Sequence, residues 1–240
     1  REDWMRRLGP LYGGAVALIH STPWRWPETV SVGNEARSPF WVVAIGFPIG
    51  LVAYVVAALL DAVGLPATIC AFAGLATLTL ASAAIVEKGL VARIDGSEST
   101  SPSVPAIVGL VFAILIRAAA IAAVSPDHWL GLFIAAALAG RWAAIFLQAL
   151  GDPIIDDDTR RSLVATPAPA WLTAAISIGV ATLVIIALGK RGIVALALTA
   201  AIAFGLGLDA QRRDRGLSSA VVATAAAIGE LAILLVAALR

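Results

Sequence analysis

Residues 66–124 read PATICAFAGLATLTLASAAIV (66–86), EKGLVARIDG (87–96), SESTSPS (97–103) and VPAIVGLVFAILIRAAAIAAV (104–124). Two apolar runs, each long enough to cross a hydrocarbon core of about 30 Å as a helix, flank one short polar stretch. The pattern recurs on both sides. Before it lies Phe40 to Val63, and after it come Trp129 to Leu150, Ala170 to Gly189, Arg191 to Leu208 and Leu217 to Leu239. Leu11 to Ile19 is too short to span and is expected to lie at the interface or re-enter the membrane.

Composition agrees, because 60% hydrophobic against 14% charged residues lies far from the balance of a soluble domain. The expected fold is therefore an all-α, polytopic transmembrane helix bundle of about seven spans. Residues 1–39 form an interfacial N-terminal segment, and 40–240 form a single transmembrane domain. The spans pair through short turns. One is Asp61 to Pro66; another is Ser125-Pro126-Asp127-His128, where proline and short polar residues favour a reversal.

Lysine and arginine set the orientation, since they are retained on the cytoplasmic side. Arg1, Arg6, Arg7, Arg25, Arg37, Lys88, Arg93, Arg160, Arg161, Arg212, Arg213 and Arg215 fall on one side, against Lys190, Arg191 and Arg240 on the other. The N-terminus and the 87–103 loop are accordingly expected in the cytoplasm. Trp41, Trp129 and Trp171 each open a span and are expected at headgroup level, with Trp24 and Trp26 on the surface. A formal charge of +1 offers no basic field for nucleic acid, so the expected partners are membrane lipids and other integral membrane proteins. Cys70 stands alone and reads as a small buried apolar residue. No signal peptide is read at the N-terminus.

The polar stretch carries the chemistry. Val86-Glu87-Lys88-Gly89-Leu90-Val91-Ala92-Arg93-Ile94-Asp95-Gly96 resembles the H-x-D-G-x-A-D-x-x-D-G signature of cobalamin synthase, the membrane enzyme that joins the lower nucleotide to the corrin ring. Other matches fall in the same order. Ile19-His20-Ser21-Thr22-Pro23 takes the place of a T-R-L-P turn, Gly46 and Gly50 stand four apart in the first span, Arg117-Ala118-Ala119-Ala120 matches an arginine followed by small residues, and Glu230 matches a glutamate of the last span.

The resemblance implies transfer of α-ribazole or its phosphate onto adenosylcobinamide-GDP with release of GMP, and a Mg²⁺ ion held by the acidic cluster on the substrate phosphates. The departures fall on that cluster. Val86 replaces the histidine, and Lys88 and Ala92 replace two aspartates; each lost carboxylate removes a ligand and a negative charge. Glu87 and Asp95 are left as the candidate catalytic and metal-binding residues, with Lys88 and Arg93 as candidates for contacting a substrate phosphate. Mg²⁺ is the implied cofactor only if activity survives. Later in the chain, the G-G-x-T-G-D motif that precedes the last span is replaced by Arg215-Gly216-Leu217-Ser218-Ser219-Ala220, so its aspartate is an alanine.

The implied location is the bacterial inner membrane. The expected role is that of an accessory or structural subunit of a membrane complex, with an active ribazoletransferase as the alternative. Lys88-Gly89-Leu90-Val91-Ala92-Arg93 also resembles the D-G-x-x-A-R opening of CDP-alcohol phosphotransferases, whose further acidic motif has no counterpart after Gly96.

Three further charges lie within spans. Arg117, Arg141 and Glu230 each cost about 2.5–3.5 kcal/mol if left at the bilayer centre, so they must face protein, water or one another. Either they line a polar cavity, or Glu230 forms a buried ion pair with Arg141 or Arg117; the pair is the favoured reading. Asp156-Asp157-Asp158, His20 and His128 read as solvated loop or interfacial residues rather than ligands.

Overall fold

The computed structural model describes residues 7–23, 38–95, 101–151, 162–213 and 216–239. The calls at Trp24, Trp26, Gly96, Asp156, Asp157 and Asp158 lie outside them. Among the described residues ten α-helices follow in order: α1 (Tyr12–Ser21), α2 (Pro39–Ala44), α3 (Gly46–Ala62), α4 (Ala67–Ala81), α5 (Ile85–Asp95), α6 (Val104–Ala122), α7 (Trp129–Gln148), α8 (Ala170–Leu188), α9 (Lys190–Arg213) and α10 (Ser219–Ala238). Among the described residues six helices, counting α2 and α3 together, are long and apolar enough to cross a membrane; α4 with α5 makes a seventh if that bent pair is one span. Every backbone N–H and C=O in hydrocarbon needs an internal partner, and continuous helices supply it.

The helices are not equivalent. α7 and α10 form the centre, with 78% and 83% of their apolar windows buried, whereas α8 has 17% buried and turns Trp171, Ile178 and Ile186 outward. Apolar surface on that scale is stable only against lipid, so the molecule is a multi-pass membrane protein.

Close approach at the centre depends on missing side chains. A Cβ on Gly50 would lie 2.7 Å from the Phe133 carbonyl oxygen, and one on Gly46 would lie 2.8 Å from that of Ala137, so α3 lies directly against the α7 backbone. Small residues at the interface are how helices associate where lipid is as apolar as the side chains.

Three expectations change. The stretch from Glu87 to Asp95 is helix, not loop, because Ile85, Val86, Gly89 and Leu90 recur at helical spacing and turn inward, Gly89 onto Ala223 of α10. The second span is not one straight helix to Val86. α4 stops at Ala81 in a reverse-turn cap, with Ala84 N–H bonded to the Thr79 carbonyl (2.9 Å) and Ala83 N–H to that of Leu80 (3.0 Å), and α5 departs at 81°. Trp129 opens its helix as expected but is packed fully inside the protein, so its ring does not face headgroups. Its indole N–H donates to the carbonyls of Ile121 (3.2 Å) and Val124 (3.0 Å), which closes the end of α6 onto α7. Trp171, at the start of α8, is 70% exposed.

Candidate functional site

The intramembrane charges come from four helices. Arg117, on α6, is 1% exposed and donates from Nη1 to Glu87 Oε1 of α5 at 2.9 Å. Its other terminal nitrogen lies 3.5 Å from Glu230 Oε2 of α10 and 3.3 Å from the carbonyl oxygen of Ala227. Thr79, on α4, donates its hydroxyl to the same Glu87 oxygen at 2.9 Å. The sequence places Glu87 in a cytoplasmic loop; the bend after Ala81 carries it inside instead.

Arg141 reaches the other way. From α7 it donates to the Val42 carbonyl at 3.3 Å, beside the break between α2 and α3 at Ile45, and it shares with Glu230 and Ser82 a cavity of about 10 Å³. That volume is about the least that one water molecule needs. Glu230 fits because residue 140 has no side chain: a Cβ there would lie 2.5 Å from the Glu230 Cγ. Two arginines and two glutamates thus sum to zero charge. Formal neutrality and mutual pairing are what let such groups remain in a low-dielectric interior.

The segment 162–169, which forms no helix or strand, lies against the cavity at the Asp95 end. Leu163 lines it and is buried; the Gln148 amide grips the strap on both sides, donating to the Leu163 carbonyl (3.0 Å) and accepting from Ala165 N–H (2.7 Å). The Ser162 N–H points at His20 Nε2, 3.4 Å away, so His20 is buried against the strap rather than at a solvated interface.

The polar face of α5 lies at that same end. Positions 88, 92 and 95, spaced i, i+4 and i+7, share one side of the helix. They are occupied by exposed Lys88, half-buried Ala92 and half-buried Asp95. Asp95 accepts from the backbone N–H of Ser103 (2.9 Å) and from its hydroxyl, while Ser103 caps α6 by accepting from Ala106 N–H. Arg93 bonds Asp209 of α9 at 2.8 Å, a partly exposed pair that contributes at most about 1 kcal/mol.

These residues do not fit a magnesium site of the kind the resemblance implies. One carboxylate remains on the face, it is engaged by Ser103, and Glu87 lies on another side of the helix against Arg117. Among the described residues no three His, Cys, Asp or Glu side chains are grouped so as to hold a metal ion. Sequence reasoning found Arg117, Arg141 and Glu230 but missed Glu87 as the inner partner; the helical recurrence of Ile85, Val86 and Gly89 was the available signal.

Fold and interior define a class: a multi-pass helical membrane protein with a neutral, buried Arg/Glu core. Residues 104–238, from α6 to the end of α10, match the family model of cobalamin-5-phosphate synthase. The chain belongs to that family. No curated protein and no solved structure matches it.

Proposed function

We propose that this chain is a non-catalytic member of the cobalamin synthase family, which keeps the helical scaffold and serves as an accessory subunit of a membrane complex in the bacterial cytoplasmic membrane. The observation that carries the reading is the occupancy of one α5 face. Where the family signature places three aspartates at 88, 92 and 95, the chain presents a cation, a methyl group and a carboxylate already bonded to Ser103. A lysine ammonium cannot coordinate Mg²⁺, and about 4 Å from the divalent metal it opposes binding by about 8 kcal/mol at an effective dielectric of 20. Lys88 and Arg93 remain able to attract a phosphate by charge alone, although Arg93 is engaged by Asp209. Strong interhelical pairs inside the bundle support a structural role for Arg117, Glu87 and Glu230.

An active ribazoletransferase is the competing reading, supported by family membership and the polar interior. The two separate in an assay of GMP release from adenosylcobinamide-GDP with α-ribazole and Mg²⁺. The purified protein is expected to release none, and to co-purify from native membranes with a stoichiometric integral membrane partner. GMP release by the unmodified protein, abolished by Asp95→Asn, would overturn the proposal.

A further inference from the structure

Two hairpin ends and the last turn of α10 meet at the end of the bundle remote from Lys88 and Asp95. The turn after α6, the α8–α9 corner at Gly189 and the last turn of α10 enclose a cleft of about 580 Å³. Its polar wall comprises Ser125, His128, Lys190 and Arg191, its apolar wall includes Leu188 and Leu239, and among the described residues no acidic side chain lines it. Arg191 donates one N–H to the Ala237 carbonyl at 3.2 Å, which leaves four of the five guanidinium donors. Lys190 is exposed and has no hydrogen bond or ion pair among the described residues. Asp127, the acid beside His128 in the turn, is exposed and lies outside the lining.

The sequence makes the pair conspicuous. Lysine and arginine are scarce on this side of the helices, yet two of the three placed there are adjacent and face one cleft. Satisfying the carbonyls at the end of α10 accounts for Arg191. It does not account for Lys190. Beside the cleft, α8 exposes Leu183 and Ile186 to the membrane, so a ligand with a charged head and an apolar body meets complementary surfaces in one place.

We infer that this cleft binds a phosphate group carried by an anionic membrane phospholipid, with the phosphate against Lys190 and Arg191 and the acyl chains along α8. Basic pockets between transmembrane helices hold anionic headgroups through such cations, each contributing on the order of a five-fold gain in affinity. A soluble phosphate offers the same chemical group, and the test separates the two sources.

The full chain, purified in mild detergent, is titrated with phosphatidylglycerol or phosphatidylcholine and followed by native mass spectrometry. Expected is retention of one phosphatidylglycerol in preference to phosphatidylcholine, weakened about five-fold in Lys190→Ala and about thirty-fold in Lys190→Ala/Arg191→Ala. Arg212→Ala, which removes a cation from the far end of the same helix, should change nothing. Lys190→Ala removes no hydrogen bond, so folding does not confound it. Equal retention of both lipids, an unaltered double variant, or equal weakening in Arg212→Ala would overturn the site. Displacement by millimolar inorganic phosphate would overturn the lipid as its source.

Discussion

Removing the Arg117 guanidinium would leave Glu87 and Glu230 facing each other in the bundle without a cation between them. Breaking a buried pair by deleting one partner costs about 3–5 kcal/mol, and Arg117 serves two partners at once. Glu230→Ala leaves Arg141 without the acid that shares its cavity, but Arg117 keeps Glu87 at 2.9 Å, so a cost at the lower end of that range, about 3 kcal/mol, is expected. Thermal melting in detergent should therefore rank Arg117→Ala below Glu230→Ala, with both below the unmodified protein. Equal melting temperatures for all three would show that the cluster contributes nothing to stability. That Arg117, Arg141 and Glu230 lie inside was legible from their places in apolar runs. Which acid each arginine meets was not, because pairing depends on how four helices are rotated, and Glu87 was hidden behind a polar neighbour, Lys88.

The bend between α4 and α5 is the feature that brings Glu87 inward. Ala83 and Ala84 both have φ of +54°, in the left-handed region where an alanine Cβ is crowded by the backbone. Each pays on the order of 1 kcal/mol relative to glycine, less the extra freedom that glycine gains in the unfolded chain. Ala84→Gly is expected to raise the melting temperature slightly, whereas Ala84→Val, β-branched at positive φ, should lower it by several degrees. If the valine variant matched the parent, the bend would not be the resting conformation of this segment. Sequence inspection placed the ends of most helices within a few residues, since proline and short polar residues mark the turns. It missed this break because no glycine or proline announces it. It also ended the sixth span at Leu208, whereas α9 continues to Arg213 and so carries Asp209 to Arg93.

Across the whole molecule, the chain orders its charges by end. The Lys88, Asp95, Asp209 and Arg212 positions gather at one end, and His128, Lys190 and Arg191 at the other. The lysine and arginine bias predicts that the first end faces the cytoplasm. Because Cys70 is buried and is the sole cysteine, single cysteines can be placed on a quiet background. In intact cells Val63→Cys, 80% exposed in the α3–α4 turn, should react with a membrane-impermeant maleimide, and Lys88→Cys should react only after permeabilisation. The reverse pattern would invert the assigned orientation. Hydropathy along the chain suffices to establish an all-helical, multi-pass membrane protein and where most of its spans lie, because hydrocarbon requires long apolar runs and satisfied backbones. The sequence also supplied the identities of Lys88, Ala92 and Asp95 on the α5 face, since a residue's identity needs no coordinates. Tertiary structure alone decided the bend after Ala81, the burial of Trp129, the strap of residues 162–169 over the Arg141–Glu230 cavity, and the choice of Glu87 as the close partner of Arg117. Those depend on contacts between segments distant in the chain, where packing at Gly46, Gly50, Gly89 and Gly140 fixes distances that no local pattern encodes.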